Sequence, residues 1–134
     1  MEDLTLVIPA KNESESLPYV ISDLNNFNCK KTIVMDPLDE ETFEVTKNFN
    51  CKVIKQIKKG YGNALIEGIG SVQTTYMCIF NADGSFNSNE LAMMRDKIIT
   101  TKYDFIFASR YQENGKSDDD NLTTMFGNSF ARLA

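Results

Sequence analysis

Short runs of branched and aromatic residues alternate with longer stretches of helical period along this chain, and that alternation restricts the fold more than any single motif. Residues 4–9, LTLVIP, are rich in branched apolar side chains and stop at a proline, as a buried strand does. Residues 14–27 read as a helix with Leu17, Val20, Ile21 and Leu24 in one stripe, Pro18 in the first turn and Ser14 or Ser16 as its cap. KTIVM (31–35) predicts a second strand, and 40–48 a helix carrying Phe43 and Val45 inward. CKVIKQI (51–57) alternates with the period of a strand. The following helix begins with glycines at 60 and 62 and packs Ala64, Leu65 and Ile69. YMCIF (76–80) suits a strand covered on both faces, 88–100 a helix capped by Ser88, and DFIFAS (104–109) a further strand. Residues 110–121, with three consecutive aspartates, read as a mobile polar loop, and 122–134 as the start of a helix.

Strand and helix in strict alternation imply an α/β fold, a mostly parallel sheet with helices on both faces. No internal repeat, low-complexity tract or linker interrupts it. Ligands of such sheets bind at the carboxyl ends of the strands. The segments leaving the strands, PAKNE, DPLDEE, KKGYGN, NADGS and SRY, therefore converge on one edge.

A chain of 134 residues fits one domain with a real core. Its net charge of −5 argues against nucleic acid or anionic lipid as a partner of the whole surface. Lys52, Lys55, Lys58 and Lys59 still form a local cluster suited to one phosphate group. The complete lack of histidine excludes Ser-His-Asp and Cys-His nucleophile systems and histidine-bearing zinc sites. Cys29, Cys51 and Cys78 are scattered and read as reduced, buried thiols of a cytoplasmic protein. The opening MEDLTLVIPA is no signal peptide, and no apolar run approaches the ~20 residues of a membrane span.

Each exit segment has a plain reading and a chemical one. Asn12 and Glu13 cap a helix, or hydrogen-bond a base or ribose beside amides that accept an anion. Asp36 can accept from a nucleobase N–H or a ribose hydroxyl, whereas Asp39, Glu40 and Glu41 suit the positive end of the next helix. Lys59 with Gly60 and Gly62 makes a turn, or brings a cation and close backbone to a diphosphate. Asp83, with Gly84 leaving space beside it, makes an Asx turn, or supplies the protein's carboxylate to Mg²⁺ or Mn²⁺. The aspartates at 118–120 read as a solvated loop tip.

Together the segments LVIPAKNESESLP, IVMDPLDEET, KKGYGNALIEGI, FNADGSF and FIFASRYQENGKSDDDNLTTMFGNSFARL resemble, in order and over essentially the whole chain, family-2 glycosyltransferases of the GT-A fold, in their polyprenyl- or dolichyl-phosphate hexosyltransferase-like branch. The resemblance implies a single nucleotide-sugar-binding domain over 1–134, incomplete at its C-terminus. It would transfer a hexose from a UDP- or GDP-sugar to a lipid-phosphate or polysaccharide acceptor with Mg²⁺ or Mn²⁺. By position, Pro9, Ala10, Asn12, Glu13 and Asp36 would contact base and ribose. Lys59, Gly60 and Gly62 would flank the nucleotide, with Asn81 on the ribose or a metal water. Asp83 would ligate the metal with help from Ser85, and Arg110 would fold over the donor.

Three departures qualify the resemblance. Met35 replaces the first acid of the second-strand pair, and Asn81 the first acid of the metal motif. The acceptor half, which normally carries the catalytic base and any membrane-associated segments, is expected to be missing, so no residue is assigned as catalytic base. The alternative is a degenerate, non-catalytic module for nucleotide binding or assembly. A parent enzyme would sit peripherally on the inner face of a membrane, and apolar surface left uncovered suggests a homodimer.

Overall fold

The computed structural model describes residues 1–108 and 129–133. Among them, one 6-stranded sheet has the order β3-β2-β1-β4-β6-β5. Strands β1 (Leu4–Ala10), β2 (Lys30–Met35), β3 (Lys52–Lys55) and β4 (Tyr76–Ile79) run parallel. Their crossovers carry α1 (Leu17–Leu24), α2 (Glu40–Thr46) and α3 (Tyr61–Gly70). Helix α4 (Glu90–Thr100) follows, then β5 (Phe105–Phe107) and β6 (Ser129–Arg132). β6 lies antiparallel between β4 and β5.

Every residue of β1 is buried because the strand is central and covered on both sides. Leu4, Leu6, Ile8 and Ala10 face the larger core, where the stripe of α1 meets Leu91, Met94 and Ile98 of α4. Each of these larger side chains contributes about 1.5–3 kcal/mol by leaving water. On the opposite face Val7 packs with Val34, Met77 and Ala64. There α3 lies close to the sheet because Gly68 has no side chain. A Cβ at that position would come within 2.5 Å of Val7 Cγ1 and 2.9 Å of Val34 Cγ2.

Several local expectations are corrected. Residues 129–132 form a strand, not a helix. Phe130 is fully buried opposite Cys78, and Arg132 donates to the Ile98 carbonyl of α4 at 2.6 Å. Tertiary pairing decides the conformation of so short a piece. Helix α2 buries Thr42 and Thr46 instead of Phe43 and Val45. The Phe43 ring instead lies under the Lys55 ammonium, 3.9 Å from its centroid. On α3 the packed residues are Ala64 and Gly68, with Leu65 and Ile69 half-buried. Neither serine cap forms as expected. Ser16 holds the N-cap position of α1 but donates its hydroxyl to Glu13, and α4 begins at Glu90 after Asn89, with Ser88 buried behind it and no side-chain cap. The tetrapeptide Phe-Asn-Cys-Lys, at 27–30 and 49–52, enters β2 and β3 in the same way. Each cysteine N–H bonds back to the phenylalanine carbonyl, at 2.9 and 3.0 Å. A sequence reading that finds no internal repeat passes over this short echo.

Arg95 of α4 grips Asp3, just before β1, with Nε and Nη2 at 3.0–3.1 Å from its carboxylate. The arginine's hydrogen bonds and charge hold the Asp3 carboxyl below its ordinary 3.8 despite partial burial. A depressed carboxyl contributes stability above its unfolded value and loses it as pH falls through the lower folded one. Asp3→Asn is expected to lower stability by about 0.5–1 kcal/mol at neutral pH after solvent screening. The difference from the parent should shrink in urea titrations taken progressively below pH 4.

Candidate nucleotide and metal site

The carboxyl ends of β1, β2 and β4 and the start of α3 enclose a cavity of about 310 Å³. Of the residues expected in a site, Pro9, Ala10, Glu13, Asp36, Gly60, Asn81 and Asp83 line it together. Gln56, Tyr61 and Lys11, which the sequence reading did not select, line it too.

Beyond β1 the chain turns sharply. Asn12 takes a φ of 56°, a left-handed conformation that asparagine tolerates, and its N–H donates to Asp39 Oδ2 at 2.6 Å. Glu13 N–H reaches Thr42 Oγ1 at 3.0 Å. Asp39 is meanwhile the cap of α2, accepting from Thr42 N–H at 3.1 Å. Burial opposes ionisation of Asp39, but the bonds from Asn12 and Thr42 outweigh it and hold its carboxyl below the usual range. Asn12 therefore sits by the start of α2, in a surface depression with Asp39, and is not on the cavity wall.

The loop after β3 is held by side chains. Glu67 of α3 accepts from Ile57 N–H and Lys58 N–H at 2.9–3.1 Å. Gln56 Nε2 donates to the carbonyls of Lys58 and Gly60 at 2.6 and 3.2 Å. Gly60 then takes a φ of 103°, which an L side chain rarely adopts, and opens α3. The first-turn amides of α3 have no partner within the helix, and its dipole favours an anion there. Lys59 is exposed, binds Asn63 Nδ2 through its carbonyl, and like Gly62 does not line the cavity.

At the end of β4, Asn81 Oδ1 lies 3.4 Å from Tyr61 Oη, which donates to it. Burial, and then the charge of Asp83, push the Tyr61 phenol above its ordinary value. Asp83 is exposed and accepts from Ser85 N–H at 2.9 Å, closing an Asx turn. Ser85 itself is not on the cavity wall. Among the described residues no three cysteine, aspartate or glutamate side chains gather to hold a metal by themselves. One carboxylate at the mouth of the cavity nonetheless fits an ion that takes its other oxygens from phosphates and water. Arg110 lies outside the described residues.

The family model described as glycosyl transferase family 2 matches residues 5–133. An uncharacterized glycosyltransferase of Mycobacterium tuberculosis is 28% identical over 88 residues, 66% of this chain and 40% of the relative. The dolichyl-phosphate hexose transferase of Haloferax volcanii is 24% identical, over 99% of this chain and 58% of its own. The chain thus spans about half the length of the curated relatives it matches. Among solved structures, the glucosyl-3-phosphoglycerate synthase of Mycobacterium tuberculosis in complex with Mn²⁺, UDP and phosphoglyceric acid superposes with a TM-score of 0.73. That likeness covers 96% of this chain and 55% of the synthase at 12% identity, and it establishes the fold, which is the GT-A arrangement.

Proposed function

This chain belongs to glycosyl transferase family 2, and we propose that residues 1–134 form the nucleotide-sugar-binding domain of a metal-assisted hexosyltransferase. The donor is a UDP- or GDP-hexose and the acceptor a lipid phosphate or saccharide at the cytoplasmic face of a membrane. One observation carries the reading: the exits of β1, β2 and β4 and the first turn of α3 share a single cavity. On this reading the nucleoside meets Asp36 on the β2 side of the cavity and the diphosphate extends along the first turn of α3 to Asp83, which line the same cavity. Asp83 would hold Mg²⁺ or Mn²⁺, which when bound supplies Lewis-acid neutralisation of the departing diphosphate. Asn81 would orient a metal-bound water or the ribose without adding charge. A relative that is a dolichyl-phosphate hexose transferase supports the acceptor class. Among the described residues no helix is long and apolar enough to cross a membrane.

Asn81 favours a second reading, in which the domain binds nucleotide without turning it over. Both readings require nucleotide binding, and only the first requires turnover. Calorimetric titration of the chain with GDP and with UDP should show binding that Mn²⁺ strengthens and EDTA weakens. A folded chain that binds neither would overturn both. Transfer of labelled hexose to a polyprenyl phosphate by the protein would then decide for the first.

A further inference from the structure

We infer that the nucleoside end of this cavity is built for guanine, so that the donor is a GDP-sugar. The inference rests on the nucleotide reading above and deepens it. Strands β2 and β3 pair Met35 with Lys55, and Gln56 N–H continues the ladder to the Met35 carbonyl at 2.9 Å. Asp36 and Gln56 are therefore neighbours, one position beyond the two strand ends, and both line the cavity.

Gln56 is only 8% exposed, and its nitrogen lies against two backbone carbonyls, those of Lys58 and Gly60. Carbonyl oxygens only accept, which fixes the amide orientation by chemistry. Both amide hydrogens are spent on the loop, and the group left to meet a ligand is Oε1, an acceptor. Asp36 is an acceptor as well. Its Oδ1 takes one bond, from Leu38 N–H at 3.0 Å, and lone pairs remain on both oxygens. Lys11, which follows β1, places its ammonium 3.8 Å from Asp36 Oδ2. In the strand order β3, β2, β1 the wall thus presents acceptor, acceptor, donor.

The Watson–Crick edge of guanine is the complement: 2-amino donor, N1–H donor, O6 acceptor. The 2-amino group would meet Gln56 Oε1, N1–H the Asp36 carboxylate, and O6 the Lys11 ammonium. Uracil offers acceptor, donor, acceptor. Its N3–H would satisfy Asp36, but one carbonyl would then face Gln56 Oε1, leaving two buried acceptors against each other without a proton between them. Gln56 cannot turn its amide over to help, because that would put Oε1 against the Lys58 and Gly60 carbonyls.

The test is calorimetric titration of the chain with GDP, IDP and UDP in the presence of Mn²⁺. IDP keeps N1–H and O6 but lacks the 2-amino group. GDP is expected to bind about tenfold or more tighter than either IDP or UDP. Gln56→Ala removes the acceptor and also loosens the loop. Loosening weakens GDP and IDP alike, so the ratio of their affinities isolates the acceptor and should fall to near one. UDP binding as tightly as GDP overturns the inference and leaves the nucleotide reading intact. A GDP-to-IDP ratio unchanged in Gln56→Ala overturns the role of Gln56. Failure of all three to bind the folded chain overturns the nucleotide reading, and the guanine assignment with it.

Discussion

Asp83→Ala is expected to weaken Mn²⁺-dependent binding of a nucleoside diphosphate by tenfold or more while leaving the fold unchanged. The side chain is exposed and makes one short-range bond, to Ser85 N–H. Its removal should shift the thermal midpoint by about 2 °C or less, as for other surface substitutions. Among the described residues it is the only carboxylate on the β4 side of the cavity wall, since Asn81 carries no charge and the other lining acids, Glu13 and Asp36, lie beyond β1 and β2. An ion placed there without Asp83 would keep phosphate and neutral water as ligands and lose the protein's carboxylate. The metal dependence makes the test specific: parent and variant should converge when titrated in EDTA. Asn81→Asp is the reciprocal experiment. A second carboxylate at that position still accepts from Tyr61 Oη and should increase the enhancement by Mn²⁺ several-fold. An Asp83→Ala chain whose affinity in Mn²⁺ matches the parent's would remove the metal from the account.

The largest effect on stability is expected at Gly68. Alanine there adds a methyl group 2.5 Å from Val7 Cγ1 and 2.9 Å from Val34 Cγ2, distances that real Cβ atoms do not show. Both valines are fully buried and β-branched, so neither can rotate away without strain. The helix must lift from the sheet, an overpacking cost of about 1–3 kcal/mol against the roughly 0.5–1 kcal/mol that alanine adds to a helix interior. Gly68→Ala should therefore lower the urea midpoint, and Gly68→Leu should prevent folding. Gly70 is the control. A Cβ at Gly70 meets nothing within 4 Å, and Gly70→Ala should be neutral or slightly stabilising. Because α3 carries Gly60 and Tyr61 at its start, lifting it also moves one wall of the cavity. The Gly68→Ala chain should lose nucleotide affinity as well as stability.

The strands that build the site were legible because their signal is local. β1 and β4 are short runs dominated by apolar residues, and a proline next to the end of β1 and an Asn-Ala-Asp-Gly turn after β4 mark their limits. Strand exits in a parallel sheet share an edge, so the sequence alone puts Asp36 and Asp83 on the same side of the sheet. What the sequence hid depends on pairing across distance. β6 is a strand because Phe130 fills a space between β4 and β5, and nothing in SFAR itself announces that. Gln56 looks like one polar residue among lysines, and its importance lies in two backbone carbonyls that only the folded loop brings to it. Gly68 carries no side chain to draw attention in the sequence, and its purpose appears only against Val7 and Val34. Asn12 follows the expected nucleotide-binding turn in sequence, yet its N–H is committed to the cap of a neighbouring helix.

The reversed strand also has a consequence for how the molecule is made. β3, β2, β1 and β4 are consecutive neighbours whose residues all precede position 80, so this block can assemble early as the chain leaves the ribosome. β5 cannot join it directly. Among the described strands its only partner is β6, which begins at Ser129, some twenty residues of synthesis later. Until then the edge of β4 stands open, a bare row of backbone donors and acceptors with Met77 and Cys78 beside it. In that interval the open β4 edge is the place where pairing with another chain competes with β6.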